Sequence, residues 1–294
     1  MIESGEGSPT VVLESGIAAS CLNWTEIRKR VAKFTRCASY DRAGLGWSDL
    51  AKTPRTTSEI VEELHALLEA AGVSLPYILV GHSFGALVVE AFTAKHADEV
   101  AGLVLVDPLG AGEWLNVSEA HARRLRRGVR LARRGAVLAR LGIVRFALTL
   151  LMRGSRRAPQ WIAKLSGGSG ESTISRIVGE VRKMPPETWP AIQAHWCQPK
   201  SFLGMASYLE SLPASCAEAA PRQLPARVPV TILSAANSTS TERAEREAIA
   251  RASARGRHII AANSGHWIHL DEPELVVQAI REVVEWVRSG EIAG

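Results

Sequence analysis

Short apolar runs alternate with helically spaced stretches over the first third of this 294-residue chain. Val11-Val12-Leu13 is a β-prone run closed by Ser15-Gly16. Leu22 to Val31 has helical spacing, and Thr35 to Tyr40 reads as a second strand entering the turn Asp41-Arg42-Ala43-Gly44-Leu45-Gly46. Thr57 or Ser58 caps a helix reaching Ala71, with Ile60, Val61, Leu64, Leu67 and Leu68 as its apolar stripe and Gly72 as its stop. Tyr77-Ile78-Leu79-Val80 is continuous and apolar, as a strand covered on both faces must be. A helix from Phe84 to His96 and a strand from Gly102 to Val106 follow.

From Pro108 to about Arg227 the alternation stops, and helix formers, arginine, glycine and proline replace it. It resumes with a strand at Val228 to Leu233, a helix from Thr241 to Ala254, a strand at His258 to Ala261 and a final amphipathic helix from Glu274 to Arg288. Alternating strands and helices argue for an α/β fold with a mostly parallel sheet flanked by helices. The expected organisation is one core made of residues 1–108 and 227–294, with residues 109–226 inserted as a helical cap after the strand ending at Asp107. Counted from Thr10, the sheet has about six strands.

Composition adds a setting. With 46% hydrophobic residues the chain buries a substantial core. Its four widely spaced cysteines form neither a C-x-x-C pair nor a disulfide scaffold, so a reducing, cytoplasmic location is expected. Met1 to Pro9 lacks the features of a secretory signal, and the apolar stretch Leu138 to Met152 is broken by Arg140 and Arg145, which argues against a membrane span. The net charge of +5 is unevenly placed, since twelve arginines and no acid lie between His121 and Arg157, leaving the rest of the chain net acidic. The sharper reading of this stretch is an amphipathic cap helix in weak contact with anionic lipid or acidic substrates. A solvated helix face is the simpler one and is preferred. No nucleic-acid module accompanies the charge, so no nucleic-acid partner is expected.

The chemistry centres on Gly81-His82-Ser83-Phe84-Gly85, a G-x-S-x-G motif between a buried strand and a helix. Flanking glycines permit a sharp turn that projects the Ser83 hydroxyl. The helix start behind it offers N–H groups to a developing oxyanion. A serine hydroxyl needs a base, and of eight histidines His266 has the best context, because Ser264-Gly265-His266-Trp267 follows a strand and precedes the last helix. His269 is the competitor and reads as a cap or packing residue of that helix. His82 reads as a packed or hydrogen-bonded neighbour of the nucleophile, and His65, His96, His121, His195 and His258 as surface or satisfied histidines.

Leu13-Glu14-Ser15-Gly16, Asp41 to Ser48, Gly-His-Ser-Phe-Gly, Leu105-Val106-Asp107-Pro108 and Ser264 to Trp267 occur in the order seen in α/β-hydrolases, and from about residue 10 to 290, the cap excepted, the chain resembles that family. The resemblance implies an oxyanion hole from the backbone N–H groups of Ile17 and Phe84, with Ser15 standing where many members have histidine. It implies that Asp41 and Arg42 tie down the turn beneath the site. The family's usual sheet has two strands before the one that begins at Thr10, and these are expected to be absent here. In most of the family the triad acid follows the strand after the cap, where this chain has Ser234-Ala235-Ala236-Asn237-Ser238-Thr239 and no carboxylate until Glu242. The other position used in the family is the end of the strand after the nucleophile helix, so Asp107 is favoured over Glu242.

The activity implied is cleavage of a small carboxylic ester through an acyl-enzyme, with no metal or organic cofactor. Serine at the elbow argues against the dehalogenases and epoxide hydrolases of the family, which use a carboxylate there. Amide, thioester and C–C bond hydrolysis, cofactor-free haloperoxidation and non-catalytic binding of a small ligand are the alternatives.

Overall fold

The computed structural model describes residues 1–115, 118–152, 179–219 and 223–290. A seven-stranded sheet runs through it in the order β1-β3-β2-β4-β5-β6-β7. The strands are β1 (Ile2–Ser4), β2 (Thr10–Glu14), β3 (Cys37–Ser39), β4 (Tyr77–His82), β5 (Val100–Val106), β6 (Val230–Ala235) and β7 (Gly256–Ala261). From β2 onward all pairings are parallel, and β1 lies antiparallel to β3, with Ile2 opposite Ser39.

Neighbouring residues of one strand enter opposite apolar layers, which is why these strands read as unbroken apolar runs. Val12, Leu79, Leu103 and Leu105 pack with α2 (Thr57–Ala70) and α3 (Phe84–Lys95). Val11, Leu13, Ile78, Val80, Val104 and Val106 pack on the other face with α1 (Thr25–Val31) and the C-terminal helix, Pro273–Ser289. That last helix buries Val276, Ile280, Val283 and Val284 completely. At about 1.5–3 kcal/mol each, these four side chains contribute roughly 6–12 kcal/mol of transfer free energy before ordering costs are set against it.

The elements read from periodicity are present with small shifts at their ends. The helical stretch from Leu22 divides into a 3₁₀ turn (Cys21–Trp24) and α1, and the strand expected from Thr35 to Tyr40 is confined to Cys37–Ser39. The sheet has one strand more than the six counted from Thr10: Ile2–Ser4 forms β1, so a strand does precede Thr10 where both leading strands were expected to be absent. Three residues with a single apolar position have no readable period, and their pairing with β3 across more than thirty residues is a tertiary event.

Among the described residues of 109–226 there is no strand. This part comprises α4 (Gly112–Leu115), α5 (Glu119–Arg140), α6 (Ile143–Met152), a 3₁₀ turn at Pro186–Thr188, α7 (Trp189–Trp196) and α8 (Pro199–Ala219). Helix α5 turns Val129 and Ala132 onto Ala206 of α8, while Tyr208, Leu212 and Cys216 of α8 join the layer formed by α2 and α3. Its arginines lie on the opposite, exposed face: Arg123 and Arg126 approach Glu119, and Arg133 lies 2.6 Å from Glu210. Exposed pairs of this kind contribute little, about 0–1 kcal/mol. Arg153, Arg156 and Arg157 lie outside the described residues. Among the described residues no helix is long and apolar enough to cross a membrane. After α8 come β6, α9 (Ser240–Ala252), β7, a short α10 (Ile268–Asp271) and α11, the C-terminal helix.

Candidate active site

The C-terminal ends of β4, β5 and β6 meet at one edge of the sheet, and the chemistry-bearing residues hang from them. Ser83 turns the chain from β4 into α3 with φ 54°, and Asp107 leaves β5 with φ 40°. Among the described residues these are the two non-glycine positions with positive φ. Such backbone costs of order 1–3 kcal/mol each and persists only where surrounding bonds over-determine it. Here they do: Ser83 N donates to Val106 O at 3.0 Å, Leu109 N to Ser83 O at 3.2 Å, and Asp107 N to Leu233 O at 2.7 Å.

The elbow is tight because its glycines have no side chains. A Cβ on Gly81 would stand 2.6 Å from Gly85 O, and one on Gly85 would stand 2.6 Å from both Glu14 O and Ser15 O. The end of β2 thus lies directly on the elbow, with Gly16 against His82 and Ser83. Phe84 opens α3, so its N–H has no carbonyl one turn back to bond. Ile17, half-buried, lies on the turn that follows Gly16.

Arg42 anchors that turn. Its buried guanidinium donates to Ser15 O at 2.6 Å, to Gly16 O at 2.5 Å and to the Glu14 carboxylate, between the rings of Phe84 and Tyr208. Burial pushes the Glu14 carboxyl up, and Arg42 and the Tyr40 hydroxyl offset part of that rise. Asp41 does hold its own turn, accepting from Cys21 N at 2.8 Å and Trp47 N at 3.1 Å. Arg42 reaches past the turn to fix the carbonyls beside the elbow.

His266 Nδ1 donates to Asp107 Oδ2 at 2.6 Å. That bond leaves Nε2 of the neutral imidazole as the lone-pair nitrogen. The other Asp107 oxygen, Oδ1, accepts from Ala235 N at 3.1 Å and from Arg246 Nη1 at 2.9 Å. Burial alone pushes the Asp107 carboxyl up, but His266, the Ala235 amide and the Arg246 guanidinium outweigh it and hold the group below the ordinary carboxylate range. Glu242 does not approach His266: its carboxylate accepts from Thr239 N at 2.6 Å and Thr239 Oγ1 at 2.8 Å, closing the capping box of α9.

One residue the sequence did not single out, Arg246, and one read as a packed or hydrogen-bonded neighbour of the nucleophile, His82, shape this pair. Arg246, buried on α9, donates to Asp107, to Ser234 Oγ at 2.9 Å, to Ser238 Oγ at 3.0 Å and to Pro108 O at 2.8 Å. It therefore gathers the acid, the residue after it and the loop after β6. Glu242 and Arg246 at i,i+4 read locally as an ordinary helix pair, so no signal in the sequence marked the arginine. His82 acts from below, its Nε2 donating to His266 O at 2.8 Å with the two rings 4.7 Å apart. His269 packs between Trp24, at 4.6 Å, and His82, at 4.5 Å. Burial, reinforced by the adjacent imidazoles, holds His82 well below the usual histidine value and pushes His269 down to about 3. Both stay neutral at physiological pH and are buried, whereas His266 is exposed.

A sequence model described as the alpha/beta hydrolase family matches residues 11–279. A similar curated protein is the uncharacterized protein YqjL of Bacillus subtilis, 36% identical over 104 residues, which are 35% of this chain and 41% of that protein. The chain spans less than half the length of the curated relatives it matches first. Among solved structures, a thermophilic esterase from Thermogutta terrifontis superposes with a TM-score of 0.60 at 22% identity, over 97% of this chain and 92% of that one. A putative epoxide hydrolase from Pseudomonas aeruginosa gives 0.70 at 16% identity, over 98% and 91%. At such identities these two likenesses speak for the fold.

Proposed function

This chain belongs to the alpha/beta hydrolase family, and from that premise we propose that it is a serine hydrolase cleaving small carboxylic esters through an acyl-enzyme. The observation that carries the reading is the 2.6 Å bond from His266 Nδ1 to Asp107 Oδ2, at the same sheet edge as the Ser83 elbow. In this reading His266 Nε2 takes the proton of Ser83 Oγ as that oxygen attacks the ester carbonyl. Asp107 holds the imidazole in the required tautomer and stabilises the imidazolium. The N–H groups of Ile17 and Phe84 receive the oxyanion, which is why Arg42 fixing the Ser15 and Gly16 carbonyls matters to rate as well as to stability. His266 then protonates the leaving alcohol and activates the water that releases the acid. Residues 109–226, taken as the cap, decide which acyl and alcohol groups reach Ser83.

The putative epoxide hydrolase of like fold does not redirect the reading, since Ser83 offers a hydroxyl where that chemistry, as found in this family, uses a carboxylate. The test is hydrolysis of a p-nitrophenyl ester series from acetate to palmitate by wild type and Ser83→Ala, with fluorophosphonate labelling of both. Turnover and labelling lost together in Ser83→Ala support the serine mechanism. A folded wild type that neither labels nor turns over any ester overturns this reading in favour of another chemistry of the family or non-catalytic binding of a small ligand.

A further inference from the structure

Strand β5 runs from Val100 to Val106, so its start lies roughly 23 Å from the catalytic edge. At that far end three chemistry-bearing side chains converge: His65 from α2, His96 at the end of α3, and Glu99 just before β5. His65 Nε2 is 2.9 Å from Glu99 Oε1, and His96 Nδ1 is 3.7 Å from the same oxygen. One ligand atom from each residue lies within 4.8 Å of the others. The backbone beneath them is pinned, with His96 N donating to Phe92 O at 2.8 Å, Glu99 N to His96 O at 3.1 Å and Tyr77 N to Glu99 O at 2.8 Å.

Hydrogen bonding does not use this cluster up. His96 Nδ1 stands 3.7 Å from Glu99 Oε1, beyond bonding distance, so it is not committed to that carboxylate. We propose that His65 Nε2, His96 Nδ1 and the Glu99 carboxylate form a binding site for a divalent transition-metal ion, with zinc as its natural occupant. Two imidazoles and one carboxylate are a borderline nitrogen and oxygen donor set, suited to four-coordinate zinc completed by water, whereas magnesium and calcium take oxygen ligands. Glu69 is the nearest candidate for the outer partner such sites use: its Oε2 lies 3.7 Å from His65 Nδ1, beyond hydrogen-bond distance, and comes into range to accept that N–H by a small side-chain shift. Burial, and then the adjoining His65, shift His96 toward the neutral form that can donate a lone pair.

Binding asks for one local change. The two imidazoles stack at 4.1 Å and 10°, but a metal lies in the plane of each ring it bonds. His96 therefore turns out of the stack, and the donors settle about 3.4 Å apart, the spacing of a tetrahedral zinc site with bonds of about 2.1 Å, so that Glu99 opens from 2.9 Å of His65 and closes from 3.7 Å of His96. The ion clips the end of α2 to the α3–β5 connection, far from Ser83.

The experiment uses the full chain, stripped with a chelator, dialysed and titrated calorimetrically with Zn²⁺, with Co²⁺ as a spectroscopic substitute. One zinc per chain is expected, with Co²⁺ giving the visible absorption of a four-coordinate ion. At free zinc about a hundredfold above the dissociation constant, Tm rises by roughly 4–5 °C. His96→Gln and Glu99→Gln abolish the rise, and Glu69→Gln weakens binding by about 10–100-fold at unchanged stoichiometry. Far-UV circular dichroism shows which variants fold, and Glu99→Gln, closest in shape to wild type, decides the matter if His96→Gln does not. A wild type that binds no zinc, or zinc binding that survives unchanged in Glu99→Gln, overturns the proposal.

Discussion

Replacing Arg246 by methionine removes the guanidinium that faces Asp107 while keeping much of the side chain's volume. Four hydrogen bonds between 2.8 and 3.0 Å disappear, and Asp107 Oδ1 keeps only the Ala235 amide. Leaving a buried carboxylate without its counter-charge costs about 3–5 kcal/mol, a large part of the 5–15 kcal/mol by which a typical domain is stable. The effect on rate is smaller than loss of the acid, because Asp107 still bonds His266. If loosened aim costs about 1.4–2.8 kcal/mol in the transition state, kcat/KM falls about 10–100-fold.

The pH profile separates this role from simple scaffolding. With the guanidinium gone, one of the groups that hold the Asp107 carboxyl down against its burial is removed, so its value rises and the charged form beside His266 is lost at a higher pH on acidification. The acid limb of kcat/KM moves to higher pH, while Arg246→Lys, which retains the charge, holds it near its wild-type position. Ester hydrolysis from pH 4 to 9, paired with urea unfolding, measures both effects. Arg246→Met with wild-type kcat/KM and an unmoved acid limb would refute the reasoning.

The competing carboxylates separate in the same assay: Asp107→Asn lowers kcat by about 10⁴-fold, whereas Glu242→Gln costs at most about 1 kcal/mol of capping and leaves turnover intact; the reverse pattern would return the acid role to Glu242. His269 sets an acid limit on stability. Its folded value is depressed from 6.5 to about 3, so the unfolded chain binds the proton more readily. The stability it contributes is present above pH 6.5 and is lost as pH falls toward 3, by about 2 kcal/mol already at pH 5. His269→Phe, which keeps a ring against Trp24, flattens that loss in urea titrations between pH 7 and 5; an unchanged slope would place the titrating group elsewhere.

Local order was readable because local spacing makes it. The stripe Ile60, Val61, Leu64 and Leu68 identified α2, the apolar run from Tyr77 a doubly covered strand, and Gly81 and Gly85 around Ser83 the elbow. Each signal lies within a few residues of chain, where helical or extended geometry alone decides which side chains share a face. The same reading placed Asp41 correctly at its turn and Glu242 only as a residue of the right charge near the right strand.

Pairings of distant segments were beyond local spacing, and only the family resemblance favoured Asp107 over Glu242 as the acid. Asp107 and His266 stand 159 positions apart, Asp107 and Arg246 139, and His82 and the His266 carbonyl 184. His65 and His96 looked like ordinary surface histidines until the fold stacked them beside Glu99. By itself the sequence determined the α/β alternation, the elbow and the types of group able to do chemistry, since those follow from backbone periodicity and side-chain identity. The tertiary structure alone decided which carboxylate faces which imidazole, because that follows from where the parallel strands end and from a buried arginine that must find a partner for its charge.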